Sequence, residues 1–452
     1  MSRTKWVKDL AFAICSVRKT LSPSAKVSFL YNCPVQILIS AGEASGEMYG
    51  AQLIEAIRAR AANRRRPAAE RAAERAESKA GEKTGEKETS AQTALQLDFF
   101  GAGGERMRTA GCEIVVDAKD LAVVGITEIL SRLPKILRLY RKLIRSADHK
   151  LPAVAVVIDS PAFNWRVARQ MHKRRIPVVY YVCPQFWAWR QGRVKLLRKY
   201  VDKALVIFPF EEKFYRDRGV DATFVGHPLA DLPPPHVSRE KYAADHRLDS
   251  AKPWITLMPG SRRKEVRMNL PTILESAARL GSGYDFLLPV APTLDSSFLK
   301  ELIAAHSEKA RAPFLDSLHL VPEALPALFH SRAGIIASGT ATVEAALMGT
   351  PFVMVYRLSS LTYALGKPRV KVPHFAMVNL IAETEIVPEL VQHKFTAGNV
   401  VLELNKIIPE GEARSRMIEG LATVKARLQR KAGGVDPADA AANIILDLVN
   451  RD

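Results

Sequence analysis

Val35-Gln36-Ile37-Leu38-Ile39-Ser40-Ala41-Gly42-Glu43-Ala44-Ser45-Gly46-Glu47 is a short apolar run that breaks at a glycine and resumes in helix-forming residues. Its branched side chains suit a buried strand, and Gly42 and Gly46 permit a tight turn with close backbone approach, so the stretch reads as strand, turn and helix start. The same pattern recurs at Leu97 to Phe100, Val154 to Ile158, Val178 to Val182, Ala204 to Ile207 and Thr223 to Val225. A second series follows at Ile255 to Met258, Phe286 to Pro289, Gly334 to Ala337 and Pro351 to Val355. Apolar runs alternating with helical patterns predict a parallel sheet covered by helices. Between the two series stands Leu232-Pro233-Pro234-Pro235-His236, which cannot continue a helix or a central strand. The expected architecture is α/β: two doubly wound, Rossmann-like domains facing a cleft, 35–232 and 233–452, the second closing in C-terminal helices. A chain of 452 residues suits two such cores of roughly 200 residues.

Two appendages lie outside this pattern. Residues 1–34 carry six Lys or Arg against Asp9 alone and read as a basic extension. Residues 58–92 hold ten Lys or Arg and six Glu with no Val, Ile, Leu, Met or aromatic residue, so they read as a low-complexity insertion with nothing to bury. Over the whole chain 66 basic residues outnumber 47 acidic ones, a net charge of +19 that favours anionic partners. Cys15, Cys33, Cys112 and Cys183 form no CxxC pair, which argues against a disulfide framework and for a reducing cytosol. No two of the ten histidines are spaced as HxxxH, which disfavours a zinc site of that kind. No apolar run approaches the ~20 residues of a membrane span.

In open α/β sheets the loops after strand C-termini carry function. The first such loop supplies Gly42, Glu43, Ser45 and Gly46. After the third strand, Asp159-Ser160-Pro161-Ala162-Phe163-Asn164 places a carboxylate at a strand end, either a helix cap or a general base. The fourth strand runs into Cys183-Pro184-Gln185-Phe186-Trp187-Ala188-Trp189-Arg190, where Trp187, Trp189 and Arg190 suit either a wall for sugars, acyl chains or an anion, or an aromatic plug packed between the domains. In the second series Pro259-Gly260-Ser261-Arg262 combines a small-residue turn with a guanidinium able to grip a diphosphate. Ser338-Gly339-Thr340 precedes a helix expected over Val343 to Met348, with Glu344 in its first turn as a ribose ligand or a complement to the helix dipole.

The ordered run GEASGE, FFGAGGERMRTAGCE, LAVVGITEILSRLPK, IDSPAFN, YVCPQFWAWRQGRVK, FPFEEKFY, FVGHPLAD, LMPGSRRKEV, ASGTATVEAALMGTPFVMVYR and NLIAETEIVPELVQ closely resembles the lipid-A-disaccharide synthase family from about Val35 to the C-terminal helices. The resemblance implies a GT-B glycosyltransferase that needs no metal or other cofactor. Its substrates would be UDP-2,3-diacylglucosamine and 2,3-diacylglucosamine 1-phosphate, and its reaction an inverting transfer that forms a β-1,6-linked disaccharide 1-phosphate and UDP. It implies Asp159 as general base, donor recognition by Ser261, Arg262, Ser338, Gly339, Thr340, Glu344 and Asn379, and acceptor binding in the first domain. Two positions depart from the family pattern: the glycine loop ends in Glu47 where Asp is usual, and Ala162 replaces an acid three residues after the base.

Acylated substrates direct attention to the segment Pro134 to Arg145. Ile136, Leu137, Tyr140, Leu143 and Ile144 share one helical face, and Lys135, Arg138, Arg141, Lys142 and Arg145 share the other. A core-facing helix with a solvated basic back has the same periodicity. The acylated substrates favour docking on an anionic membrane through Ile136, Leu137, Arg138, Tyr140, Arg141 and Lys142, which implies a cytoplasmic protein held peripherally on the inner membrane of a Gram-negative bacterium. A homo-oligomer is compatible with the sequence. The competing readings are a UDP-sugar epimerase or hydrolase on the same scaffold and a nucleic-acid-binding protein. The latter lacks any recognisable binding module, so no nucleic-acid partner is expected.

Overall fold

A computed structural model describes residues 34–42, 44–64, 96–121, 126–230, 233–310, 316–359, 363, 372–429 and 436–449. The first sheet contains β1 (Val35–Ala41), β2 (Leu97–Gly103), β3 (Cys112–Asp117), β4 (Val154–Ile158), β5 (Val178–Tyr181), β6 (Lys203–Val206) and β7 (Ala222–Phe224) in the order β3-β2-β1-β4-β5-β6-β7. The second contains β8 (Trp254–Met258), β9 (Asp285–Pro289), β10 (Leu318–Val321), β11 (Ala333–Ala337), β12 (Phe352–Tyr356) and β13 (Glu389–Val391) in the order β10-β9-β8-β11-β12-β13. The registered pairings in both sheets are parallel. Two parallel-sheet α/β domains, as expected, make up the chain.

The contacts divide it into two units, residues 1–184 with 199–205 and 438–452, and residues 185–198 with 206–437. The second unit thus begins upstream of the proline run. In the first unit Ile37, Leu38 and Ile39 of β1 and every residue of β4 are fully buried, as strands covered on both faces require. Helix Ala44–Asn63 follows β1. Residues 58–64, at the start of the expected insertion, complete this helix and the turn after it. Its arginines are engaged: Arg58 donates to the Ala110 carbonyl at 2.9 Å, and Arg60 and Arg64 pair with Asp439 and Asp447 of helix Pro437–Val449 at 2.6 and 2.8 Å. The remainder of the insertion and residues 1–33 of the extension lie outside the described residues.

Each sheet reverses its strand order once, between β1 and β4 in the first and between β8 and β11 in the second. Connections leave opposite ways at such a switch point, which opens a crevice beyond the strand C-termini. β1 leads to Gly42 and the first turn of helix Ala44–Asn63, β4 to Asp159 and Ser160 before helix Pro161–Lys173, β8 to Pro259 to Arg262, and β11 to Ser338 and Gly339 before helix Thr340–Met348. The four loops singled out in the sequence therefore stand at the two positions where this fold binds ligands.

The approach of β2 to β1 depends on one glycine. A Cβ on Gly101, registered opposite Ile39, would lie 1.7 Å from the Ile39 carbonyl oxygen, and the β2–β3 register shifts at the same point. Gly101→Ala is expected to destabilise the domain by about 3 kcal/mol or more and to lower Tm by ~6 °C or more. Gly192→Ala, where a Cβ would meet nothing within 4 Å, is the control and should melt with the parent. A Gly101→Ala protein that also melts with the parent in thermal denaturation contradicts this close approach.

Candidate active site

At the first switch point, β4 ends at Ile158 and the backbone turns sharply. Asp159 and Ser160 both adopt left-handed conformations, with φ of 44° and 46°, before helix Pro161–Lys173 begins. Asp159 is partly buried. Its carbonyl accepts from the Tyr180 hydroxyl at 2.8 Å and from the Asn164 side-chain amide at 2.9 Å. The loop after β1 comes alongside: a Cβ on Gly42 would stand 2.4 Å from Ser160 Oγ, and one on Gly46 would touch the Ile158 carbonyl oxygen at 3.7 Å. Gly42, Gly46 and Asp159 are thus brought together at one strand edge, with Ser45 exposed beside them. Glu43 lies outside the described residues. Glu47 caps a neighbouring helix, its Oε1 accepting from the Arg106 backbone N–H at 2.7 Å at the start of helix Glu105–Thr109. Its longer arm gives the departure from Asp a local structural role.

At the second switch point, Gly260 takes φ +122° and Arg262 opens helix Arg263–Leu280. The Arg262 side chain is 62% exposed and pairs with Glu265 at 3.0 Å, so the guanidinium stands in solvent with one carboxylate on it. Ser261 is also exposed, and its carbonyl accepts from the Thr293 hydroxyl. The turn is fixed from beneath by Asn269, fully buried, which donates to the Pro259 carbonyl at 2.9 Å and accepts from the Arg357 N–H at 3.0 Å.

Beside it, helix Thr340–Met348 begins three residues before the expected start. Gly339, at φ +144°, caps it with no side-chain hydrogen bond, and a Cβ there would meet nothing within 4 Å. Gly339 and Thr340 are exposed, so the helix N-terminus faces open space. The earlier start moves Glu344 into the second turn, beyond the reach of the dipole effect, which is confined to the first. Burial pushes its carboxyl above the usual range, and the carboxyl makes no hydrogen bond among the described residues. Ser338 donates to the Phe375 carbonyl at 2.8 Å. Asn379, fully buried, is saturated within its own loop: it donates to the Val387 carbonyl and to Glu389 Oε1 and accepts from the Ile386 and Val387 N–H groups, at 2.9 to 3.0 Å. Glu389 also accepts from the Phe375 and Ala376 N–H groups, joining the loop before helix Met377–Ala382 to β13.

Trp187 behaves otherwise than as part of a ligand wall. Trp187 is only 5% exposed, packs edge-on against Phe210 at 4.9 Å and donates its indole N–H to Glu211 at 2.8 Å. It is a plug inside the second unit. Burial pushes the Glu211 carboxyl up to about 7, against the pull of hydrogen bonds from Trp187, Phe208 and Ile207. Arg190 is exposed, and the Trp189 side chain lies outside the described residues.

Helix Ile126–Lys150 contains the amphipathic segment. Its apolar face splits along its length. Leu143 and Ile144 are buried, as in the core-facing reading, and the Tyr140 ring lies edge-on to Phe163 at 6.1 Å. Ile136 is only partly covered and Leu137 is 40% exposed. Arg138, Arg141, Lys142 and Arg145 are exposed, and Lys135 is paired with Asp120 at 2.6 Å.

The sequence reading singled out none of Asn164, Tyr180, Glu211, Asn269 or Glu389 as site residues. Asn164, Glu211 and Glu389 stand inside the quoted motifs IDSPAFN, FPFEEKFY and NLIAETEIVPELVQ, the signal available for them. Among the described residues no group of three or more His, Cys, Asp or Glu could hold a metal ion, and no helix is long and apolar enough to cross a membrane.

The family model described as lipid-A-disaccharide synthetase matches residues 71–436. A lipid-A-disaccharide synthase of Koribacter versatilis is 45% identical over 92% of this chain and 99% of its own length, and one of Myxococcus xanthus is 36% identical over 92% and 98%. Among solved structures, the calicheamicin glycosyltransferase CalG4 superposes with a TM-score of 0.53 at 14% identity, covering 92% of this chain and 99% of its own. UDP-GlcNAc 2-epimerase from Neisseria meningitidis gives 0.51 at 11%, covering 93% and 100%. The structural likenesses establish the GT-B fold alone; the sequence matches go further, and by them the chain belongs to the lipid-A-disaccharide synthase family of glycosyltransferases.

Proposed function

We propose that the chain transfers 2,3-diacylglucosamine from UDP-2,3-diacylglucosamine to 2,3-diacylglucosamine 1-phosphate, with inversion at the anomeric carbon, forming the β-1,6-linked lipid A disaccharide 1-phosphate and UDP. One observation carries this reading. The first switch point presents a carboxylate and the second presents a guanidinium with an open helix N-terminus, the two kinds of group that an inverting transfer from a nucleoside diphosphate needs.

In this mechanism residues 35–232 receive the acceptor, with Gly42, Ser45 and Gly46 lining its approach, and residues 233–452 hold the donor. The acceptor 6-hydroxyl oxygen forms the new bond to the anomeric carbon while the bond from that carbon to the UDP oxygen breaks. Asp159 takes the hydroxyl proton. The charge that collects on the departing diphosphate is met by Arg262, released from Glu265, and by the N–H groups at the start of helix Thr340–Met348, with Ser261 and Ser338 alongside. Glu344, a carboxyl without a protein partner among the described residues, accepts from a ribose hydroxyl. Asn379 acts through the loop it holds, since its own amide is already saturated.

The substrates are acylated, and the basic helix offers a way to reach them. Leu137 and Ile136 enter the interface while Arg138, Arg141 and Lys142 lie on an anionic leaflet, each cation contributing ~1 kcal/mol that salt screens away. Tyr140, turned toward Phe163, steadies the helix on its own domain. On this reading the enzyme works at the cytoplasmic face of the inner membrane of a Gram-negative bacterium.

Three outcomes test the assignment. Asp159→Asn should retain UDP binding while turnover falls by about 10² or more, the typical contribution of a general base; near-normal turnover removes Asp159 from that role. In calorimetry Arg262→Ala should bind UDP about tenfold to a hundredfold more weakly, because a charge-assisted contact persists in the product complex, and unchanged affinity rules the contact out. Replacing Arg138, Arg141 and Lys142 together with Gln should reduce sedimentation with anionic liposomes at low salt and leave circular dichroism unchanged. Undiminished sedimentation means that another surface docks.

A further inference from the structure

We propose that Asn164 and Tyr180 are positioning residues for the reaction, holding the main chain of Asp159 in the conformation from which its carboxylate reaches the acceptor; this rests on the reading of Asp159 as general base. Two consecutive non-glycine residues in the left-handed region are rare, because each brings its Cβ against a neighbouring carbonyl. Asp tolerates this better than most, Ser less well. Such a turn persists only where its surroundings over-determine it, and such turns collect at functional sites.

Here the surroundings do so from both neighbouring strands. On the β1 side the Ser40 hydroxyl donates to Asn164 Oδ1 at 2.7 Å. With its acceptor so engaged, Asn164 shares its two amide N–H groups among three carbonyls at the strand ends: Ile158 at 2.8 Å, Asp159 at 2.9 Å and Ser40 at 3.0 Å. On the β5 side the Tyr180 hydroxyl donates to the same Asp159 carbonyl at 2.8 Å, and the Asp159 N–H donates to the Tyr181 carbonyl at 3.2 Å. Ser40, Asn164 and Tyr180 are all fully buried. Gly42 leaves the room that Ser160 needs.

The amide is not spent on capping the helix that follows. Helix Pro161–Lys173 has no side-chain hydrogen bond at its cap, although Ser160 and Asn164 both stand within reach of that terminus in sequence. Every polar contact recorded for Asn164's side chain is to the strand ends. Asn alone among side chains of its size combines two donors with an acceptor and keeps no charge in a fully buried place, which Asp or Leu at this position would not reproduce. The clamp therefore fixes the peptide units on either side of the Asp159 Cα, and the direction in which its carboxylate leaves follows from that backbone.

A positioning role and a purely structural one separate in a double-mutant cycle on the full-length protein. Tyr180→Phe removes one hydroxyl from an otherwise unchanged ring and should lower kcat about fivefold to tenfold, with KM for the UDP-sugar and UDP affinity unchanged. Asn164→Ala should lower kcat by about 10², in line with the cost of displacing a reacting group by about 1 Å. In an Asp159→Asn background both changes should have little further effect on the residual rate, since the group they position is gone. Equal fold losses in the two backgrounds, or a Tyr180→Phe enzyme with the parent's kcat, overturn the proposal while leaving Asp159 in place. If Asn164→Ala does not fold, the Tyr180→Phe cycle decides alone. Near-normal turnover of Asp159→Asn by itself overturns the base assignment and the proposal with it.

Discussion

Buried asparagine amides close the loops to which this enzyme's chemistry is here assigned. At the end of β4 one such amide shares its two N–H groups among three carbonyls and accepts from one hydroxyl, beside Asp159 and Ser160 in the left-handed region. The same device recurs in the second domain. Asn269 ties the turn after β8 to the residue after β12, and Asn379 ties the turn before β13 to its own helix. A parallel sheet satisfies its own backbone along the strands and leaves the strand ends unpaired. An amide, with donors and an acceptor on one short arm, satisfies several of those groups at once and in doing so selects one loop conformation.

Charge is divided between the domains as the reaction divides it. The first sheet's switch point carries a carboxylate on a residue whose main-chain carbonyl is held by neutral donors. The second carries a solvent-facing guanidinium, an uncapped helix N-terminus and a carboxyl that burial keeps easy to protonate. The Arg262–Glu265 pair is compatible with the donor role proposed for Arg262: an exposed i,i+3 pair is worth little, so a diphosphate would displace the carboxylate at small cost. Glu211 belongs to a different category. Its buried carboxyl, shared by the Trp187 indole and two backbone N–H groups, builds a domain core.

The sheets were legible where strands are buried on both faces, because continuous apolar runs such as Val154 to Ile158 have no competing reading. The strands that escaped, β3, β10 and β13, all lie at sheet edges, where one side faces solvent. β3 carries an exposed Glu113 and β13 has only three residues, so neither offers a run long enough to read. Among candidate site residues, the strand-end positions of Asp159, Arg262 and the Ser338 to Thr340 segment were legible because small residues and charges stand directly after strands. Trp187 and Asn379 were ambiguous for a common reason: composition tells that an indole or an amide is present but not whether its polar atom is already spoken for. For the amphipathic segment, periodicity defined the face and could not say which half of it the domain would cover.

The most direct measurement is of product. Purified protein incubated with UDP-2,3-diacylglucosamine and 2,3-diacylglucosamine 1-phosphate should yield a tetraacyl disaccharide 1-phosphate by mass spectrometry, with a β linkage by NMR and one UDP released per disaccharide. Consumption of the UDP-sugar at the same rate without acceptor, giving free sugar or a C2 epimer and no disaccharide, would contradict the account.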